Sequence, residues 1–117
     1  MSDEIQITVR GTLSNGNLKR KIEPGTITFD QATAASYSNT AALTSNSTAL
    51  TMGLSSIGWA FFTNGSTATE ITVGPTSSAP CFKVPKSGTI ALSLGTTALS
   101  AKTETGSANL YYEFWST

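Results

Sequence analysis

Turn-forming residues interrupt this chain about every 8 to 12 residues, and the segments between them are short. That spacing leaves no room for a helix of several turns with an anchored apolar face. It suits antiparallel strands stacked as a sandwich or barrel. Ile5-Gln6-Ile7-Thr8-Val9-Arg10 alternates apolar with polar, the pattern of a half-buried strand. Leu18–Glu23 resumes after the turn at Ser14–Asn17, so the two segments are expected to form a hairpin closed off by Pro24-Gly25. Thr26–Asp30 reads as a third short strand with Ile27 and Phe29 on one face.

The densest apolar mass lies in the stretch Gly58–Gly74, GWAFFTNGSTATEITVG. Trp59, Phe61 and Phe62 supply it. Asn64-Gly65 follows as a reverse-turn signal, because both residues tolerate positive φ. Ile71-Thr72-Val73 is β-branched and alternating. The stretch therefore predicts a central hairpin with an aromatic arm and a β-branched arm. Gln31–Tyr37 predicts loop or extended chain, and Tyr37–Thr51 predicts one or two weak strands joined near Ser45–Ser47. Further strands are expected at Cys81–Val84, Thr89–Leu94, Ala98–Thr103 and Leu110–Trp115, with turns at Pro75–Ala79, Lys86–Gly88, Gly95–Thr97 and Thr105–Ser107. No break in composition suggests a second domain. The expected fold is a single all-β domain over residues 1–117. It is an antiparallel β-sandwich, jelly-roll-like, with about 8–10 short strands and essentially no helix.

Composition narrows the function. Charged residues are 12% of the chain, against roughly 25% in ordinary soluble domains. Sixteen serines and twenty threonines among 117 residues take their place, and net charge is zero. Long-range steering toward nucleic acid or an anionic membrane is therefore not expected. A weakly charged surface gives little protection against self-association and fits a protein that lives in an assembly. No segment approaches the roughly 20 apolar residues that cross a bilayer. The amino-terminal residues lack the basic and apolar regions of a signal peptide, so synthesis in a cytoplasm is expected.

Catalytic and cofactor chemistry find no foothold. Histidine is absent, which removes the usual base for a Ser or Cys nucleophile and most zinc and non-haem iron sites. Cys81, flanked by Pro80 and Phe82, reads as a small buried hydrophobe. The seven acids are scattered, whereas glycoside hydrolysis needs two facing one cleft. No glycine-rich phosphate loop is present. No catalytic, cofactor-binding or metal site is expected. Lys19-Arg20-Lys21 is the basic run. On a strand, Lys19 and Lys21 project together and Arg20 opposes them, which suits either a charged edge strand guarding against aggregation or a contact with an acidic protein surface or with nucleic acid, the last being the weaker reading without a wider basic field. In Leu110–Trp115, Leu110, Tyr112 and Phe114 share one face and Tyr111, Glu113 and Trp115 the other. Either both faces are covered, or Tyr111 and Trp115 form part of a subunit contact. The candidate contact residues are thus Lys19, Arg20, Lys21, Tyr111 and Trp115.

Several short motifs follow one another over most of the chain. They are Gly58-Trp59-Ala60-Phe61-Phe62-Thr63-Asn64, then Thr69–Gly74, then Phe82–Gly88, and finally Leu110-Tyr111-Tyr112-Glu113-Phe114. In this order they resemble small all-β virion proteins of tailed bacteriophages. Those carry a G-Y/W-x-F-x-x-N block followed by a V-x-I/V-G strand and an aromatic terminal strand. Here Ser87-Gly88-Thr89 lacks the acidic residue that follows the corresponding glycine, and the middle is richer in Ser and Thr. The resemblance implies a capsid decoration (cement) or other accessory virion protein, made in the bacterial host cytoplasm and without enzymatic activity. Its partners would be itself, as a homo-oligomer that the resemblance makes a trimer, and the major capsid protein or another virion protein, with no nucleic acid or membrane. A tail, neck or fibre component, or a glycan-binding adhesion module using Trp59, Tyr111, Tyr112 and Trp115, are the alternatives.

Overall fold

The computed structural model describes residues 5–32, 34–75, 81–94 and 98–117. The chain forms two compact units, Met1–Ala32 and Thr33–Thr117. No helix occurs among the described residues. The expected turn over 95–97, and the loop after Pro75, lie outside them.

The first unit is one long hairpin of β1 (Ile5–Asn15) and β2 (Leu18–Phe29). Asn15 pairs with Leu18 across a two-residue turn at Gly16-Asn17, where Gly16 takes φ of 57°. Positive φ is open to glycine because it has no Cβ. Pro24-Gly25 does not end the second strand, as the turn signal predicts. The pairing runs from Val9↔Gly25 to Gly11↔Ile22, so β2 spends three residues where β1 spends two. This is a β-bulge, a place in a ladder that tolerates proline, and Gly25 takes φ of 90° there. The expected third strand is the continuation of β2.

The bulge sets which side chains share a face. Leu18 and Ile22 occupy even positions, Ile27 and Phe29 odd ones. One extra residue between them reverses the alternation, so all four project to the same side. Opposed residues of a pair share a face, which adds Ile5, Ile7, Val9 and Leu13. The opposite face is polar. Thr8 and Thr26 hydroxyls lie 2.9 Å apart, and Glu23 pairs with Arg10 at 3.0 Å and Lys21 at 3.4 Å. Ile5 and Ile7 are buried. Val9, Leu13, Leu18, Ile22, Ile27 and Phe29 are 38–64% exposed.

Among the described residues the second unit holds eight strands: β3 (Ser36–Leu43), β4 (Thr48–Ala49), β5 (Trp59–Asn64), β6 (Ile71–Gly74), β7 (Phe82–Val84), β8 (Thr89–Ser93), β9 (Ser100–Thr103) and β10 (Ala108–Trp115). They form two antiparallel sheets, ordered β3-β10-β5-β8 and β4-β9-β6-β7. One hydrophobic core draws on both, which makes the unit a β-sandwich. Phe62, Leu110 and Phe114 come from the first sheet and Ile71, Val73 and Val84 from the second, all without exposed surface. Phe62 is the hub, with its ring centroid 5.4 Å from Phe82 and 5.9 Å, nearly edge-on, from Phe114. Burying one such ring is worth about 1.5–3 kcal/mol.

The expected central hairpin does not exist. β5 and β6 are consecutive but belong to different sheets. The reason is Asn64. It ends β5 fully buried, and neither it nor Gly65 takes positive φ. Its Nδ2 donates to the Thr69 carbonyl at 2.8 Å and to the Val84 carbonyl at 3.2 Å, while its Oδ1 accepts from the Ser66 amide at 2.9 Å. The side chain thus holds the crossing from one sheet to the other. Cys81 also departs from expectation, being exposed. Alternation at the start of β7 turns Phe82 toward the core and leaves Cys81 on the side of exposed Lys83.

Candidate functional site

β10 is the second strand of its sheet, bonded to β3 on one side and β5 on the other. Leu110, Tyr112 and Phe114 face the core; Tyr111 and Glu113 are exposed and Trp115 is half-buried. The strand is therefore covered on one face only, and the expectation of cover on both sides is set aside. β5 repeats the arrangement, with Ala60, Phe62 and Asn64 buried and Trp59, Phe61 and Thr63 half-buried on the outer face.

Register lines these outer residues up in rows. Trp115 opposes Trp59 on β5 and Ser36 on β3. Glu113 opposes Phe61 and Ser38. Tyr111 opposes Thr63 and Thr40. The rows produce rings down the middle with hydroxyls beside them. The Phe61 and Trp115 rings lie 4.5 Å apart at 55°. The Trp115 indole Nε1–H donates to Glu113 Oε2 at 2.6 Å. This bond fixes both groups: the indole plane is anchored, and the carboxylate is held beside it by a charge-assisted hydrogen bond. Gly65 makes room for Tyr111, since a Cβ there would sit 2.8 Å from the ring's Cε2.

Residues of β10 from Tyr111 to Trp115, with Phe61 and Thr63 of β5 and Ser38, Asn39 and Thr40 of β3, line an open groove of about 640 Å³. Phe61, Tyr111 and Trp115 form its floor, and Ser38, Thr40 and Thr63 contribute hydroxyl-bearing side chains. Glu113 is the charged residue in the lining, a single carboxylate where glycoside hydrolysis uses two. Tyr112 belongs to the core side of the strand. Its hydroxyl donates to the Thr51 carbonyl at 2.9 Å and accepts from Asn39 Nδ2 at 3.3 Å. Burial raises its phenol pKa above the ordinary value, and the Asn39 bond partly offsets this. The ring is 3% exposed and is no stacking surface.

Of the five candidate contact residues, Tyr111 and Trp115 meet in this groove. Lys19, Arg20 and Lys21 belong to the hairpin unit, beside a smaller hollow with Leu13. Lys19 and Lys21 project to the polar face. Arg20 projects to the apolar one, with its Nη1 donating to the Lys19 carbonyl at 3.1 Å. Phe61 and Glu113 line the groove without having been candidate contact residues, and neither was Gly65, which gives the Tyr111 ring its room. Alternation through Trp59–Asn64 carried the signal for Phe61; nothing local marked Gly65.

Among the described residues no group of three or more His, Cys, Asp or Glu could hold a metal ion. A charge cluster of the sandwich lies away from the groove. Lys83 Nζ sits 2.9 Å from Glu104 and 3.8 Å from Glu70, and the hydrogen bond to Glu104, with the charges of both acids, raises its pKa. Compared with family models, with curated proteins and with solved structures, the chain matches none.

Proposed function

We propose that the protein is a structural component that acts by association, and specifically a capsid decoration protein of a tailed bacteriophage that binds the shell as a homo-oligomer, a trimer on the resemblance. The observation that carries this reading is the hairpin β1-β2. A two-stranded hairpin is marginally stable in water at best. This one also holds six large apolar side chains at least 38% exposed on a single face. A contiguous uncovered patch of this kind marks an interaction surface or an aggregation hazard. Covering it with the same face of another copy would bury several side chains at about 1 kcal/mol each. Multivalent attachment to a shell would multiply weak contacts into firm retention. The lightly charged Ser/Thr exterior agrees with a protein kept at high local density.

Strand order supports the same reading. β3 pairs with β10, β4 with β9, β5 with β8 and β6 with β7. Four nested antiparallel pairs are what a long hairpin gives when rolled into two sheets, and we infer a jelly roll, an architecture that capsid proteins use among others. The reading involves no catalysis, cofactor or metal.

Light scattering of the purified chain, followed by cryo-microscopy of particles carrying it, tests the proposal. The expected results are a discrete oligomer at micromolar concentration and density on the capsid exterior. A strict monomer, or a shell without that density, would overturn it; a six- or twelvefold ring would move the protein to tail or neck.

A further inference from the structure

We propose that the outer face of sheet β3-β10-β5-β8 binds a neutral oligosaccharide in the groove between Tyr111 and Trp115. The inference does not depend on the virion reading and concerns the other compact unit. Its first support is the kind of apolar surface present. The groove's apolar contribution comes from aromatic rings, with no Leu, Ile, Val or Met in the lining. Tyr and Trp also serve protein interfaces, but the hot spots there under-represent the serine and threonine that flank these rings. A pyranose ring has an apolar C–H face and a rim of hydroxyls, and flat rings, exposed at Tyr111 and half-buried at Phe61 and Trp115, match the first.

The second support is the placement of polar groups. Thr40 and Thr63 flank Tyr111 in its own row, and Ser38 shares the row of Glu113 and Phe61, so hydroxyl-bearing side chains stand beside the rings. Hydroxyls both donate and accept, as sugar hydroxyls do. Glu113 supplies an acceptor already oriented by the Trp115 N–H. An ionised carboxylate offers more acceptor sites than this one bond uses. Pre-set polar groups give specificity because they are not ordered at the moment of binding.

Charge and size exclude other ligand classes. Glu113 repels phosphates and sulfates, and the lining contains no cation to offset it. Nucleotides and acidic glycans are disfavoured. Tyr111 and Trp115 lie four residues apart on β10, about 13 Å at 3.3 Å per residue. That length accommodates a short oligosaccharide better than one monosaccharide. The volume of about 640 Å³ falls in the range of ligand sites, roughly 300–1,000 Å³.

The test uses the full chain on an array of neutral oligomers of glucose, galactose, mannose and N-acetylglucosamine, with sulfated glycans alongside. Hits are titrated by tryptophan fluorescence. Saturable binding of a neutral oligomer is expected. Tyr111→Ala should weaken it by about tenfold and Glu113→Gln several-fold, the scale of one lost ring contact and one lost charged hydrogen bond. Affinity should not change with salt, since no ligand charge is screened. Tyr111 is exposed, so its variant should keep the wild-type circular dichroism, and Ile22→Glu on the hairpin should leave affinity per site unchanged. No neutral glycan bound at millimolar concentration, binding of sulfated glycans alone, or affinity indifferent to both groove substitutions would each overturn the assignment.

Discussion

Asn64 shows how much one side chain can decide. Its amide satisfies two carbonyls and one backbone amide in the sandwich, all three near the crossing between sheets. Asn64→Ala strands those partners out of water, at about 1–3 kcal/mol for each group left unpaired. The expected outcome is a loss of about 2–5 kcal/mol in denaturant unfolding with an unchanged m-value. A loss under about 0.5 kcal/mol would mean that water replaces the amide. Two other residues bear on stability at alkaline pH, Tyr112 more than Lys83, whose exposed charge is screened by solvent. Lys83, whose ordinary pKa is 10.5, is raised by its bond to Glu104. Tyr112, ordinarily 10.0, is raised by burial. A raised pKa in the folded state gives stability that is complete below the unfolded value and is lost as pH climbs through the folded one. Both groups therefore act in one direction. Thermal melts should show a midpoint that drops as pH rises above about 10. Tyr112→Phe should make that drop shallower while lowering stability at neutral pH, because two hydrogen bonds go with the hydroxyl.

Elements show where sequence patterns were legible and where they were not. Alternation located most of the segments that became strands, because a long strand of the sandwich has one face against the core and one toward water. Leu110–Trp115 is the clearest case, its inward and outward sets readable residue by residue. Pairing partners were less legible. Asn64-Gly65 carries a strong local turn signal, yet the Asn64 side chain also finds the Val84 carbonyl, 20 residues along the chain, and that is a tertiary fact. Pro24-Gly25 reads locally as a stop, yet a bulge absorbs it. The groove was half legible. Tyr111 and Trp115 stood out as outward aromatics, but their union with Phe61 depends on register between strands remote in sequence. The bulge has a testable effect. It brings Ile22, Ile27 and Phe29 onto one face, of which Ile22 is the most open at 64%. Ile22→Glu adds a charge where the free hairpin has water, so the fold should survive, while association through that face should fail. Light scattering should show the mass falling to that of one chain, with an unaltered circular dichroism spectrum. An oligomer of unchanged mass would exclude this face as the contact.

At the level of the whole molecule, stability is unevenly divided. Every residue of the hydrophobic core cluster belongs to Thr33–Thr117. A fragment of residues 33–117 should therefore unfold cooperatively, with near-ultraviolet dichroism from Trp59 and Trp115. The isolated hairpin should show no cooperative transition. A fragment without a sigmoidal melt would show that the sandwich needs the hairpin. The nested pairing has one more consequence, for the order of events during synthesis. β10 occupies the place between β3 and β5, which leave the ribosome well before it. Until it arrives, those two strands have an empty lane between them, and their facing edges are open to any passing chain. Closure of the sheet is thus a late, long-range insertion of the most aromatic strand, a step of the slow kind that distant β pairing imposes.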